Sequence, residues 1–283
     1  MAQQITTDTT GTTADRELKA KHRTMWGLGA YDRVADEIIP SLGPVLVEAA
    51  GITAQQRVLD VAAGTGNAAV PAARVGADVV ASDLTPALLE IGERSVAGTG
   101  LHLDWQEADA EALPFDDGAF DAVISCVGVM FAPHHQDAAD ELLRVTRPGG
   151  TIGLLSWTPE GFIGQMFATM KPFAPPAPPG AQPPPLWGRE DHVRALFADG
   201  AEIRGAQRRT LVVDAFTGGA AFRDYFKQTY GPTIAIYRAI AADPEKVVAL
   251  DTALAGLGEQ YGREVGGSFV MEWEYLLLTA TRR

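Results

Sequence analysis

The chain has 283 residues, enough for one large domain or one domain with an elaboration at roughly 100–200 residues per domain. Its 36 acidic and 23 basic side chains give a net charge of −13, which argues against a nucleic-acid-coating protein, because binding phosphates draws on a surplus of Lys and Arg. An apolar content of 46% excludes a disordered chain, and the single cysteine, Cys126, excludes an intramolecular disulfide and a Cys-based zinc site. No apolar run approaches the ~20 residues of a membrane span. Residues 1–15 are rich in Thr, Gln and Asp and lack a basic start and an apolar stretch. They read as a flexible tail and not as a secretory signal, in a soluble cytoplasmic protein.

Residues 16–52 read as helical. Val34, Ile38 and Ile39 recur at helical spacing, Pro40 and Gly43-Pro44 interrupt the run, and a second short helix is predicted over 45–50. Over residues 53–157 strand and helix alternate. Strands are predicted at 57–61, 77–82, 101–106, 120–127 and 151–157, with helices at 67–75, 86–97 and 136–145. Strands separated by helices imply βαβ units and a parallel sheet covered on both faces.

The composition then shifts. Over residues 158–200 an insertion precedes a helix at 190–197, and eight of the fourteen residues from Pro172 to Pro185 are proline. Proline lacks the backbone donor and fixes φ, so neither a helix nor a central strand fits there. An extended surface loop is predicted, with a partner-binding PxxP role as the alternative. Residues 201–283 carry a strand at 202–213, a mostly helical insertion at 220–262 broken at Gly231-Pro232 and Asp243-Pro244, and a last strand at 269–279. The second half of that strand is continuously apolar, which suits the inside of a sheet.

The strongest signal is the run Val58-Leu59-Asp60-Val61-Ala62-Ala63-Gly64-Thr65-Gly66-Asn67-Ala68-Ala69 at the end of the first strand. Glycines there let a backbone turn tightly and approach a ligand. Dinucleotide enzymes share Gly-x-Gly-x-x-Ala, but Asp60 sits inside the strand, four residues before Gly64. A carboxylate there repels a pyrophosphate and favours a cationic, phosphate-poor ligand. Asp83, 17 positions after Gly66 at the end of the second strand, can accept both hydroxyls of a ribose. Its alternative is a helix cap, for which Thr85 is better placed. Asp109, after the third strand, can accept from an adenine amino group while the Ala110 amide donates to a ring nitrogen; a plain polar turn is the alternative.

Together these stretches resemble the class I S-adenosylmethionine-dependent methyltransferases, nearest to the small-molecule branch typified by ubiquinone and menaquinone biosynthesis. The resemblance covers roughly residues 58–157 and includes Glu107-Ala108-Asp109-Ala110-Glu111-Ala112-Leu113-Pro114-Phe115, Phe120-Asp121-Ala122-Val123-Ile124-Ser125 and Leu142-Leu143-Arg144-Val145-Thr146-Arg147-Pro148-Gly149-Gly150. Ala62-Ala63 departs from it, since the family usually has Gly-Cys or Gly-Ala there.

The resemblance implies an α/β, Rossmann-like fold. Its seven-stranded sheet would be mostly parallel with an antiparallel last strand, with helices on both faces and helical cap insertions. It also implies S-adenosyl-L-methionine as cofactor and S-adenosyl-L-homocysteine as product. Gly64 and Gly66 would face the methionine moiety, Asp83 the ribose, and Asp109 with Ala110 the adenine, and Asp60, Ala62, Thr65 and Leu84 would belong to the same cofactor-binding set. Cys126 follows the fourth strand, on the side where sulfonium and substrate meet. Trp26-Gly27-Leu28-Gly29-Ala30-Tyr31 resembles a segment that lids the cofactor, with Tyr31 reaching the methionine carboxylate or packing against helices.

Methyl transfer needs proximity and alignment, and a hydroxyl or acidic carbon also needs a base. His134 and His135, on the loop after the fourth strand, are the base candidates, with two exposed loop histidines as the alternative. No metal site is expected, and His22 reads as solvated. Met130, Phe131, Phe162, Met166, Trp187, Tyr225 and Tyr230 suit a pocket for an apolar or aromatic small-molecule substrate, and equally a plain core. The oligomeric state stays open between monomer and homodimer. The rival functions are a cofactor-binding protein without transfer, a cyclase or regulator, and a nicotinamide-dependent oxidoreductase.

Overall fold

The computed structural model describes residues 13–283. Most of the tail expected over 1–15 lies outside the described residues, and the first helix begins within that range: α1 is Thr13–Trp26. After it come α2 (Tyr31–Arg33), continuing as a π-helical turn over Val34–Ile38, and α3 (Leu42–Ala49). The alternating part is β1 (Arg57–Val61), α4 (Ala69–Arg74), β2 (Asp78–Asp83), α5 (Pro86–Val96), β3 (Asp104–Glu107), β4 (Phe120–Cys126), α6 (His135–Val145) and β5 (Thr146–Trp157). Then follow α7 (Phe162–Met170), α8 (Glu190–Phe197), β6 (Ala201–Val213), α9 (Gly219–Thr229), α10 (Gly231–Ile240), α11 (Pro244–Tyr261), β7 (Gly262–Val265) and β8 (Ser268–Arg282).

The strands form one sheet in the order β3-β2-β1-β4-β5-β8-β6. β1 to β5 run parallel, and β8 inserts antiparallel between β5 and β6. The seven expected strands are all present. The eighth, β7, is not among the expected strands: it begins where the helical insertion read over 220–262 ends and folds back as a hairpin on β8, Gly262 pairing with Met271. The turn between them is Gly266-Gly267, both at positive φ, where only glycine is free of strain. The prolines also differ in part from the extended loop: short 3-10 turns, Lys171–Phe173 and Pro184–Gly188, flank an irregular stretch. Proline is allowed at the first positions of such turns because the missing amide would be unpaired there anyway.

β1 and β4 are buried along nearly their whole length, as strands covered on both faces must be. Helices cover both faces, α3 packing with α4 and α6 with α8. The strand order runs one way from β1 to β3 and the other way from β4 to β5, so the chain switches direction between β1 and β4. In open α/β sheets the crevice beyond the carboxyl ends of such strands is where ligands bind.

Candidate functional site

The chain leaves β1 through Ala62 (φ +55°), Gly64 (φ +57°) and Gly66 (φ +93°), and leaves β4 through Val127 (φ +48°). Left-handed backbone costs a residue with a Cβ about 1–2 kcal/mol, and a β-branched residue there is a true outlier. Such conformations persist only where the surroundings hold them. Here the two strand ends hold each other. A Cβ on Gly128 would stand 2.2 Å from the carbonyl oxygen of Ala62, so only glycine lets the turns touch. Ser125 Oγ donates to Val61 O at 2.7 Å and accepts from the Val129 amide at 2.8 Å. The family's usual glycine at position 62 thus has a conformational reason that this alanine lacks.

Three carboxylates converge behind these turns. Asp60 is buried, and neither of its oxygens has a hydrogen-bond partner among the described residues. Burial pushes its pKa up to about 8; the Ala69 amide, outside hydrogen-bonding geometry, offsets this only in part, and Asp83 adds to it. Asp83 accepts the Gly64 amide on Oδ2 and the Thr85 amide on Oδ1, each at 2.8 Å. It therefore shapes the glycine loop directly, and burial raises its pKa. Thr85 occupies the cap position of α5, but its hydroxyl makes no capping bond; its amide is held by the Asp83 carboxylate. Asp109 accepts Lys19 Nζ at 2.9 Å and the Glu111 amide at 3.0 Å, both on Oδ1.

A cavity lies between the strand ends and a roof made by α1 and α2. Its floor is Ala62, Ala63, Gly64, Asp83 and Leu84, its β3 side Ala108, Asp109 and Ala110, and its β4 side Cys126 to Val129 with Phe131. Lys19, His22, Trp26 and Tyr31 form the roof. The Tyr31 ring lies over Gly64, 3.4 Å from where a Cβ would stand. Trp26 meets Phe131 edge-on at 4.7 Å and Tyr31 at 5.5 Å between ring centroids. Burial pushes the Tyr31 and Cys126 groups up, so both are neutral at ordinary pH.

Of the eleven candidate cofactor residues, Tyr31, Ala62, Gly64, Asp83, Leu84, Asp109, Ala110 and Cys126 line this cavity. Asp60 lies buried beneath the loop, and Thr65 and Gly66 are not part of the cavity lining. Gly66 faces Trp105, whose indole would stand 2.8 Å from its Cβ.

The two base candidates are not in the cavity wall. The His134 amide donates to Glu111 Oε1 at 2.6 Å and its Nδ1 stands 2.9 Å from Glu111 Oε2, which ties the ring to the loop after β3. His135 is fully buried between Trp187 and His192, its Nδ1 3.0 Å from His192 Nε2. Burial and its neighbouring histidines push its pKa down to about 3. Helical geometry explains both placements: His134 precedes α6 and His135 opens it, so their side chains leave the loop in different directions.

Among the pocket candidates, Phe131 alone lines the cavity. Tyr230 stands one layer behind, 5.6 Å from Trp26, and Tyr225 donates to Glu37 at 2.9 Å. Phe162 stacks on Trp273 at 5.3 Å, and Met130, Met166 and Trp187 are buried in the core. These residues pack the molecule together. Asp15, Glu111 and His134 bring ligand-type atoms within 4.8 Å of one another, but the Lys19 ammonium already occupies the Glu111 carboxylate as its cation.

His22 is the correction in the other direction. Expected in solvent, it lines the cavity, and burial lowers its pKa. The missed signal is helical spacing: Lys19, His22 and Trp26 fall at i, i+3 and i+7, on one face of α1.

A family model described as a methyltransferase domain matches residues 59–154. An uncharacterized protein of Mycobacterium tuberculosis (strain ATCC 25618 / H37Rv) is 52% identical over 269 residues, which are 95% of this chain and 97% of that protein. A demethylmenaquinone methyltransferase of Clavibacter sepedonicus is 46% identical over 99 residues, 35% of this chain and 40% of that one. Geranyl diphosphate C-methyltransferase from Streptomyces coelicolor shares the fold at a TM-score of 0.52 with 17% identity, over 86% of this chain and 76% of that chain. No helix among the described residues is long and apolar enough to cross a membrane.

Proposed function

The chain belongs to the class I S-adenosylmethionine-dependent methyltransferase family, and from that premise we propose that it methylates an oxygen, nitrogen or carbon atom of a small apolar or aromatic metabolite. The observation that carries this reading is one roofed cavity lined by Asp83 and Asp109, from the ends of adjacent strands, with the buried Asp60 beneath its glycine loop. The donor set fits the cofactor. Asp60, with two buried and unpartnered oxygens, suits an ammonium group, directly or through water. Each Asp83 oxygen already accepts one amide and keeps lone pairs for a ribose hydroxyl. Asp109 Oδ2 accepts no hydrogen bond among the described residues and suits an adenine amino group, with Ala110 beside it. Gly64 leaves room for the methionine chain under Tyr31.

When bound, the cofactor supplies an electrophilic methyl group on a sulfonium. This chain's residues then have to bind, align and exclude water. The Trp26–Phe131 end of the cavity is apolar, continued by Val127, Val129, Ala132 and Pro133. No carboxylate or imidazole lies at that end of the lining among the described residues. The acceptor atom therefore brings its own nucleophilicity: a phenol- or quinol-like hydroxyl, an activated carbon or a neutral amine.

Calorimetric titration with S-adenosylmethionine, S-adenosylhomocysteine and NADH tests the cofactor. Micromolar binding of the first two and none of the third is expected, and NADH binding alone would overturn the reading. Release of S-adenosylhomocysteine in the presence of phenolic or quinol acceptors then tests transfer. Tight cofactor binding without release across such acceptors would favour a cyclase or regulatory role instead.

A further inference from the structure

Helix α1 turns two polar side chains, Lys19 and His22, toward the β3 side of the cavity. Lys19 is buried and pairs with both Asp109 and Glu111. Its ammonium and the Glu111 amide fix one oxygen of Asp109, at 2.9 and 3.0 Å. The other oxygen makes no hydrogen bond among the described residues. A carboxylate held this way cannot rotate freely, and its open lone pairs point away from the pair that pins it. Glu111 is itself held by His134, through the amide and the ring.

His22 lies one helical turn beyond Lys19. Its charged neighbours are Lys19 and Asp109. It makes no hydrogen bond among the described residues. The ring is neutral at ordinary pH, so one nitrogen donates and the other accepts. Neither has a partner among the described residues to compete with a ligand. Its neighbours also place it away from the Trp26–Phe131 end, where a base for the acceptor would have to stand.

We propose that the Lys19–His22 face of α1 is the third wall of a nucleoside subsite, in which His22 hydrogen-bonds the bound nucleoside and Lys19 is the positioning residue for Asp109. The proposal rests on the cofactor reading above. It assigns the roof a chemical role, recognition of the purine nucleoside, in addition to covering it. Glu111 links that wall to His134, which explains why a histidine outside the cavity is bound twice by one carboxylate.

Truncated ligands test this. Dissociation constants are measured for S-adenosylhomocysteine, adenosine and purine riboside, which is adenosine without its amino group. The proteins are wild type, His22→Phe, His22→Gln and Lys19→Met, with thermal melting to confirm that each variant folds. His22→Phe is expected to weaken S-adenosylhomocysteine and adenosine by the same factor, about fivefold to tenfold for one hydrogen bond. His22→Gln, which keeps a donor and an acceptor, should recover part of the loss. Lys19→Met is expected to weaken adenosine by about fivefold and to leave purine riboside unchanged, because Asp109 acts through the amino group.

Equal losses on adenosine and purine riboside in Lys19→Met would overturn its positioning role and leave α1 a structural cover. Unchanged adenosine binding in His22→Phe would overturn the contact. Wild-type protein that binds neither S-adenosylhomocysteine nor adenosine would instead bring down the cofactor reading, and this proposal with it.

Discussion

Two parts of this molecule are rich in aromatic rings, and they are built by opposite rules. Around β8, Phe162, Phe216, Phe222, Phe226 and Trp273 lie with centroids 4.7 to 6.5 Å apart and almost no exposure. Edge-on and offset contacts at those distances are what a close-packed interior favours. At the strand ends, Trp26, Tyr31 and Phe131 instead wall a cavity whose floor carries costs. Ala62 and Val127 have left-handed backbone, and the Asp60 oxygens have no partners. The first region minimises its energy in the absence of any ligand. The second holds strain and unmet hydrogen-bonding capacity in one place, which is what a binding site needs and a core avoids. Aromatic content does not separate the two; the unsatisfied groups do.

That contrast breaks if the core region proves dispensable. Trp273→Ala and Phe222→Ala should each cost about 3–5 kcal/mol of stability, read by urea unfolding. Ligand affinity of the protein that remains folded should not change. In the cavity the expected pattern is reversed. Asp83→Asn should lose S-adenosylhomocysteine affinity by about a hundredfold, since hydrogen bonds to a charged group are worth roughly 1.5–3 kcal/mol each. A melting temperature that falls as far as in Trp273→Ala would show that Asp83 serves packing after all.

The pH dependence of stability sharpens the same comparison. The folded pKa of Asp60, about 8, lies above the ordinary 3.8, so the folded state binds its proton more tightly. Its contribution to stability is full below about pH 4 and is lost as the pH rises to about 8. Asp83, also raised, acts in the same direction. Ligand-free protein should therefore lose stability across that window, and Asp60→Asn should flatten much of the slope in melting curves. A wild-type slope already flat would mean that water satisfies Asp60. The smallest effect is expected at Ala62. Replacing it with Gly removes the left-handed cost, offset by the greater freedom of an unfolded glycine, and should stabilise by about 0.5–1 kcal/mol.

Much of the cavity floor is legible in the sequence because it depends on short-range order. Asp60, Gly64, Asp83 and Asp109 sit at fixed distances from strand ends, and strand ends can be read from apolar runs. The order of the sheet follows from alternation in the same way. Direction of side chains is another matter. His134 and His135 are adjacent in the chain, yet one binds Glu111 and the other packs against Trp187. No spacing rule distinguishes them, because the turn geometry before α6 decides. Phe162 and Tyr225 look like pocket residues for the same reason: whether an aromatic faces a core or a cavity depends on elements far away in sequence. For His22 the spacing with Lys19 and Trp26 gives the face of α1 but not what that face meets, since only the docking of α1 over the strand ends brings it inside.

The docking of α1 has a consequence for how the molecule is assembled. Helices of about 12–15 residues are marginal on their own in water, and α1 has 14. Its ion-pair partners, Glu107, Asp109 and Glu111, come 84 to 92 positions later in the chain. Contacts of that separation form late, because the intervening chain must first be ordered. A helix that precedes the whole sheet in the chain is thus among the last elements to find its place. The sheet can be complete while the cavity still lacks its roof, and a ligand that touches α1 stabilises that final step of folding.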